Sequence, residues 1–318
     1  MARWDIFDSD RRRESEPRAS EEKRKPDSAS GEVSIGRGGK DDSSGNPPQR
    51  PLDSPAKRAE GHRERRAQYR DRDQRYSLRQ PEIQMMADIG RFRTVDKQDL
   101  ARFLYAGRED SLKHDIENLR RQDLIEERTV FQAHKKARRV VTLTEQGHRV
   151  VRKASGLPRE QQLYHGFVKP REIHHDADLY KVYQEAASEI EEAGGRLLKI
   201  RLDFELKAAV QREKDALKRV PPEERLKRLQ SFASAQGLSI QGSRVTVPDI
   251  QVEYETRDHE LARANLELVS ENYRGEAIRG KAESGFSLYA RGNDVSRVRR
   301  ALQDTHTVER ILSIRTSL

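Results

Sequence analysis

Residues 140–154, VVTLTEQGHRVVRKA, limit the fold more than any other stretch of the chain. Val140, Val141 and Leu143 sit among threonines and read as a strand. From Glu145 onward Val150, Val151 and Ala154 recur at helical spacing, with Gly147 three residues in. A strand that runs straight into a helix has no loop in which to reverse. It needs a surface upstream to pack against.

That surface is legible from Pro81 to Gln132. Pro81 suits the first position of a helix that places Ile83, Met86, Ala87 and Ile89 inside. A short extended segment, Arg93–Val95, follows. Asp96 then reads as an N-cap, with Asp99 three residues on and Leu100, Phe103 and Leu104 inside the next helix. After Ala106-Gly107 a third helix runs from Asp110 to Gln122, with Leu112, Ile116 and Leu119 along one face. Leu124–Gln132 reads as a strand, AHKKARR as a basic turn, and VVTLT as the returning strand. With its closing helix, this order resembles the winged helix-turn-helix family over residues 81–155, and LRRQDLIEE and VVTLTEQGHRVV carry the likeness.

A second unit follows GLPREQQLYHGFVKPRE, which reads as a linker. HHDADLYKVYQEAASEIEEAGG makes an amphipathic helix with Asp176 as N-cap, Leu179, Val182, Tyr183 and Ala186 inside, and Gly194-Gly195 as the stop. RLLKIRLDFEL alternates, with Leu198, Ile200, Leu202 and Phe204 on one side, as a half-buried strand does. Two basic helices broken at Pro221-Pro222 come next. Then follow strands SRVTVPDIQVEYE and ARANLELVS, a helix around Gly280-Lys281, strand FSLYA, helix Val295–Leu302 and a last strand, ERILSI.

Helix, three strands, helix, strand resembles a restriction-endonuclease-like core. Joined to the upstream unit, it resembles the replication-relaxation family of bacterial plasmids and mobile elements. The family's motifs would fall here on His174 or His175, Pro248-Asp249, Glu267, Lys281 and Tyr289. The expected architecture is a disordered tail (1–78), an α+β winged helix domain (79–156), a linker (157–172) and an α/β restriction-endonuclease-like domain (173–318) with a basic helical insertion over 205–235. The resemblance implies a DNA-binding accessory factor for replication or mobilisation, with a relaxase or replication protein as partner, in the bacterial cytoplasm.

The tail is assigned on composition. Residues 1–78 alternate charge clusters with a Ser/Gly/Pro stretch and cannot bury enough surface to offset their ordering entropy. Within it RAEGHRERRAQYRDRDQRY, up to Tyr76, reads as a transient charged helix. Across all 318 residues 33% are apolar and 37% charged, and the net charge of +9 favours a polyanionic partner. With no cysteine, neither a disulfide framework nor a thiolate metal site is available. No apolar run approaches the ~20 residues of a membrane span, and MARWDIFDSDRRR lacks the apolar core of a signal peptide.

Two sets of residues carry candidate chemistry. On the third helix His114, Asn118 and Arg121 face away from the apolar stripe, flanked by Lys113 and Arg120; Asn and Arg suit base edges and the cations suit phosphates. Asp110 and Glu117 on the same face count against strong attraction to DNA. The turn adds His134, Lys135, Lys136, Arg138 and Arg139. Double-stranded DNA is the expected partner, with a homodimer allowed and a palindrome-reading transcription regulator as the rival.

The second set is Asp249, Glu267 and Lys281. Two carboxylates could hold Mg²⁺ or Mn²⁺ for phosphodiester cleavage, with the lysine offsetting charge. A working site of that kind has its lysine two residues after the acid, where Val269 stands, so Lys281 would have to reach back from the next helix. Alternation also places Asp249, Gln251 and Glu253 on one strand face, which an exposed acidic edge explains without catalysis. The expectation is a nuclease-like domain without catalytic activity or cofactor, with a Mg²⁺- or Mn²⁺-dependent DNA nuclease using Asp249, Glu267 and Lys281 as the alternative reading. His174-His175-Asp176 has no third ligand at helical spacing and is not expected to bind metal.

Overall fold

The computed structural model describes residues 65–131, 137–270, 273–303 and 311–313, a mixed α+β assembly. Within the span assigned to the tail, Ala67–Asp71 (β1) and Gln74–Leu78 (β2) pair as an antiparallel hairpin. This corrects both the disordered boundary at 78 and the charged helix ending at Tyr76. The alternation is concealed by arginines: Tyr76 and Leu78 point inward and are buried, while Arg70 and Arg75 point outward.

Helix α1 (Gln80–Phe92) buries nearly its whole length, including Glu82, Asp88 and Arg91. A helix apolar on several faces must be covered on several faces, and α1 packs against elements from both halves of the chain. Asp96 caps the next helix as expected, accepting from the Gln98 N–H at 2.8 Å. That element is a short α2 (Lys97–Asp99) running into a π turn at Leu100–Leu104. Helix α3 (Glu109–Arg121) buries Leu112, Ile116 and Leu119. Strands β3 (Val95–Asp96), β4 (Ile125–Val130) and β5 (Arg138–Leu143) form a three-stranded antiparallel sheet with β5 central.

The opening stretch closes this unit. Thr144 caps α4 (Glu145–Ala154), accepting from the Gly147 N–H at 2.9 Å and donating to the Asp123 carbonyl at 2.6 Å. Gly147 is there because the Leu124 carbonyl crosses the helix at that point; a Cβ would lie 1.9 Å from that oxygen.

Residues 157–169, read as a linker, are a packed strap. The Tyr164 N–H donates to Gly90 O at 2.7 Å and the Gly166 N–H to Leu143 O at 2.9 Å. Gln161 bridges to both backbone groups of Ile200. Helix α5 (Pro170–Glu192) starts at Pro170, so Asp176 lies inside it and is not its cap.

Five strands form the second sheet, in the order β12-β11-β10-β9-β6. These are β6 (Arg196–Leu202), β9 (Ile250–Glu255), β10 (Leu261–Val269), β11 (Ser287–Ala290) and β12 (Ile311–Ser313). β9 runs antiparallel to both of its neighbours, β6 and β10, whereas β10, β11 and β12 run parallel, linked by α8 (Gly275–Glu283) and α9 (Gly292–Gln303). A bulge in β6 between Leu197 and Lys199 puts Leu197 rather than Leu198 into the core, and the chain turns helical at Asp203, before Phe204 can extend the strand. SRVTVPDIQVEYE is two strands: β8 (Arg244–Thr246) pairs with β7 (Ser239–Gln241) before β9 begins.

The insertion, α6 (Asp203–Leu217) and α7 (Pro222–Ala235) with β7–β8, has its own small core of Leu206, Val210, Leu217, Leu229 and Val245. The main core is continuous from Tyr76 to Tyr289. At its centre Phe92 of α1 packs on Tyr180 and Tyr183 of α5, with ring centroids 5.3 and 5.2 Å apart.

Candidate functional site

On α3 the outward side chains are Asp110, Lys113, Glu117, Arg120 and Arg121, all exposed. Arg120 lies 3.4 Å from Glu127, and Arg121 Nε donates to the Glu117 carbonyl at 3.4 Å. His114 is 60% exposed with Nδ1 3.2 Å from Asp115. Asn118, expected to face bases, turns inward instead and donates to Glu82 Oε1 at 2.8 Å. Glu82 is fully buried and also accepts from the Arg79 N–H at 2.7 Å and from Arg66 at 3.2 Å. A buried carboxylate needs every donor within reach, which explains the capture of Asn118. Alongside it Asp115 pairs with Arg79 and accepts from the Tyr105 hydroxyl at 2.8 Å. Burial pushes the Tyr105 hydroxyl well above the usual phenol range.

The β4–β5 hairpin divides its cations. Arg139 is exposed, and His134, Lys135 and Lys136 lie outside the described residues. Arg138 is withdrawn from the surface set. It pairs with Asp96, with Asp178 at 2.9 Å and with Asp99 at 3.7 Å. Arg291 pairs with the same Asp178. Asp99 is pushed up to about 7, chiefly by burial and then by the charge of Asp96. Asp178 is held down despite burial, because Arg138 and Arg291 both face it. A strand side chain read as a phosphate contact is therefore the centre of a structural charge cluster.

The sheet brings Asp249, Glu267 and Lys281 together. Asp249 precedes β9, Glu267 lies in β10 beside it, and Lys281 reaches back from α8. Lys281 Nζ is 2.9 Å from Glu267 Oε1 and donates to the Val247 carbonyl at 2.7 Å. The Asp249 N–H donates to Glu267 Oε2 at 3.2 Å, and Asp249 Oδ2 accepts from the Leu268 N–H at 2.9 Å. His175 of α5 places Nε2 3.6 Å from Asp249 Oδ2, and the Tyr273 hydroxyl donates to Glu267 Oε1 at 2.6 Å. Lys207 of α6 pairs with Asp203 at 2.5 Å and feels both acids of the cluster.

Burial, then the neighbouring Asp249, raises Glu267 to about 7, against the pull of Lys281 and Tyr273. Burial opposes charge on His175, but its bonds to Asp176 and Asp249 win and lift it to about 10.

The donor set does not fit a divalent cation as arranged. Glu267 is 1% exposed and its two oxygens already take three donors, while Asp249 Oδ2 faces a backbone N–H and an imidazole. Among the described residues no group of three or more His, Asp or Glu is set to hold a metal ion. Nor is the strand face an exposed acidic edge: Gln251 is buried, bonded to Gln236 O and Asn265, and Glu253 pairs with Arg201 and Arg263. Tyr289 is fully buried, away from solvent. Sequence reading missed Tyr273 and Lys207. Tyr273 is a lone aromatic in SENYRGE just past a strand end, a weak signal; Lys207 looked like any other charge on a basic helix.

No protein-family model matches the chain, and no curated protein matches it. Among solved structures, Bacillus subtilis PadR in complex with operator DNA matches at 15% identity, covering 48% of this chain and 94% of that chain. The TM-score is 0.20, a correspondence too loose to bear on fold or function.

Proposed function

We propose that the protein binds double-stranded DNA through a winged helix made of α1 to α4 and the β4–β5 wing. The restriction-endonuclease-like sheet that follows serves as a non-catalytic partner. The observation that carries the reading is the outward face of α3 with Lys113, Arg120 and Arg121 exposed, beside the β4–β5 hairpin with Arg139 exposed and with His134, Lys135 and Lys136 in the sequence between its strands. With Asn118 turned inward, this face holds few groups suited to bases. Binding is then dominated by phosphate contacts and only biased in sequence.

The replication-relaxation resemblance adds the setting: an accessory role in replication or mobilisation, with a relaxase or replication protein as partner. The closed carboxylate–lysine cluster supports the non-catalytic assignment of the sheet. Glu267 is buried and its oxygens already accept from Lys281, the Tyr273 hydroxyl and the Asp249 N–H, which leaves little access for a substrate or ion.

Incubation with supercoiled plasmid, with and without Mg²⁺ or Mn²⁺, tests both parts. The expected result is salt-sensitive retardation of intact plasmid, unaffected by Asp249→Ala. Metal-dependent nicking lost in Asp249→Ala would make the protein a nuclease. Absence of retardation at low salt would remove DNA binding altogether.

A further inference from the structure

The β1–β2 hairpin carries charge that its fold does not use. Residues 65–78 hold five arginines against two aspartates, and one of those, Asp71, is buried in ion pairs with Arg149 and Lys153. On the outer face Arg70 stands directly opposite Arg75 in the register, and both are exposed. Like charges directly across a strand pair destabilise it. The turn adds an exposed Arg72 at φ +54, a conformation that glycine or asparagine adopts more readily. Arg70 Nε donates to the Arg72 carbonyl at 3.1 Å, which ties the first arginine to the turn. Among the described residues none of these three guanidinium groups forms an ion pair; Asp73 is the one exposed acid on the hairpin.

The hairpin is fastened to the end of α3. The Ser77 N–H donates to Gln122 Oε1 at 2.9 Å, and Gln122, the residue capping α3, donates back to the Ser77 carbonyl at 3.3 Å. Arg121, exposed, is its immediate neighbour. From this we infer that the outer face of the β1–β2 hairpin is a second phosphate-binding surface, in which Arg70, Arg72 and Arg75 grip the backbone of the same duplex that α3 meets. The inference rests on the DNA-binding reading above. Uncompensated cations in an unfavourable cross-strand pair and at a strained turn position call for an external polyanion. Attachment to α3 makes that polyanion the duplex rather than an acidic protein.

The test uses the full chain with Arg70→Gln, Arg72→Gln and Arg75→Gln combined. A control combines Arg212→Gln, Lys214→Gln and Lys227→Gln on α6 and α7, with the same change in net charge. Binding to a fluorescent duplex of about 30 base pairs is followed by anisotropy across salt. Losing three phosphate contacts should flatten the log–log salt slope by about 2 to 3, while the control moves it by less than about 1. The thermal midpoint of the hairpin variant should hold or rise, since no ion pair is lost.

Binding by the unaltered protein with an unchanged slope in the hairpin variant would overturn this inference and leave the α3 reading standing. Equal flattening by the control would overturn it as well, reducing the effect to net charge. No binding by the unaltered protein would remove both.

Discussion

Replacing Lys281 by methionine is expected to destabilise the protein by an amount that grows with pH. Glu267 is buried and its folded pKa stands at about 7 against an ordinary 4.5. Because the folded value is raised, the stability linked to this group is full below about pH 4.5 and is lost as pH rises through 7, a total of about 3 kcal/mol at ~1.4 kcal/mol per unit. Lys281 limits that loss by pairing at 2.9 Å. Methionine keeps an apolar side chain of similar length but removes the ammonium that lies 4.9 Å from the Phe286 ring centroid, so the folded pKa moves further up and the loss continues above pH 7. At pH 5 Glu267 is protonated in the folded state of both proteins, and the variant gives up only the bonds of Nζ, about 1–2 kcal/mol. At pH 8.5 the deficit should approach the roughly 3–5 kcal/mol seen when one partner of a buried pair is removed. Urea unfolding at the two pH values measures the difference, and the double variant Lys281→Met with Glu267→Gln should regain most of the high-pH loss. An equal deficit at both pH values, or no recovery in the double variant, would refute the view that Lys281 exists to hold a buried carboxylate.

Two further changes probe the framework. Asp99→Asn should stabilise the protein at pH 8 and do little at pH 4. The folded pKa of about 7 exceeds the ordinary 3.8, so the group's stability is full below about pH 4 and is lost by pH 7, on the order of 2–4 kcal/mol that a neutral isostere avoids; thermal midpoints at the two pH values measure it. Gly147→Ala should cost about 2–3 kcal/mol or more, since its Cβ would meet the Leu124 carbonyl at 1.9 Å. An unchanged melting curve would mean that the strand and α4 separate more easily than the structure implies.

Local signals carried much of the helical part. The 112/116/119 stripe placed α3 to within a residue at each end, the Asp96 cap opened α2, and the change from threonines to Glu145 located the start of α4. Each depends on neighbours in sequence, which is why it was legible. The β1–β2 hairpin was not, because its inward positions Tyr76 and Leu78 lie in a run of otherwise mostly polar and charged residues. Their burial comes from elements that follow, not from the segment itself. The same limit hid the fates of Asn118 and Arg138. Asn118 is turned by Glu82, 36 residues earlier, and Arg138 by Asp178, 40 residues later. In both cases an acid far away in the chain takes the side chain from the surface role that its residue type suggests. The nearness of Asp249 and Glu267 was legible from strand order, but the reach of Lys281 from α8 and the closure of the cluster by Tyr273 and backbone donors were not.

The placement of α5 determines how the two halves can act together. Its Tyr180 and Tyr183 pack on Phe92, and the Tyr180 hydroxyl donates to the buried Asp88 of α1 at 3.0 Å. Its Asp178 accepts Arg138 from β5 and Arg291 from just after β11, and its His175 reaches Asp249. One helix thus contacts α1, strand β5 and the carboxylate cluster. Separating the halves would expose the aromatic surface of Phe92, Tyr180 and Tyr183, a cost of several kcal/mol, and would part Asp178 from Arg138. Hinge motion between them is therefore expensive. On the DNA-binding reading proposed above, a duplex held by α3 and the β1–β2 hairpin would therefore meet a sheet already packed in place, whose contribution to binding would be fixed by geometry rather than by closure around the DNA.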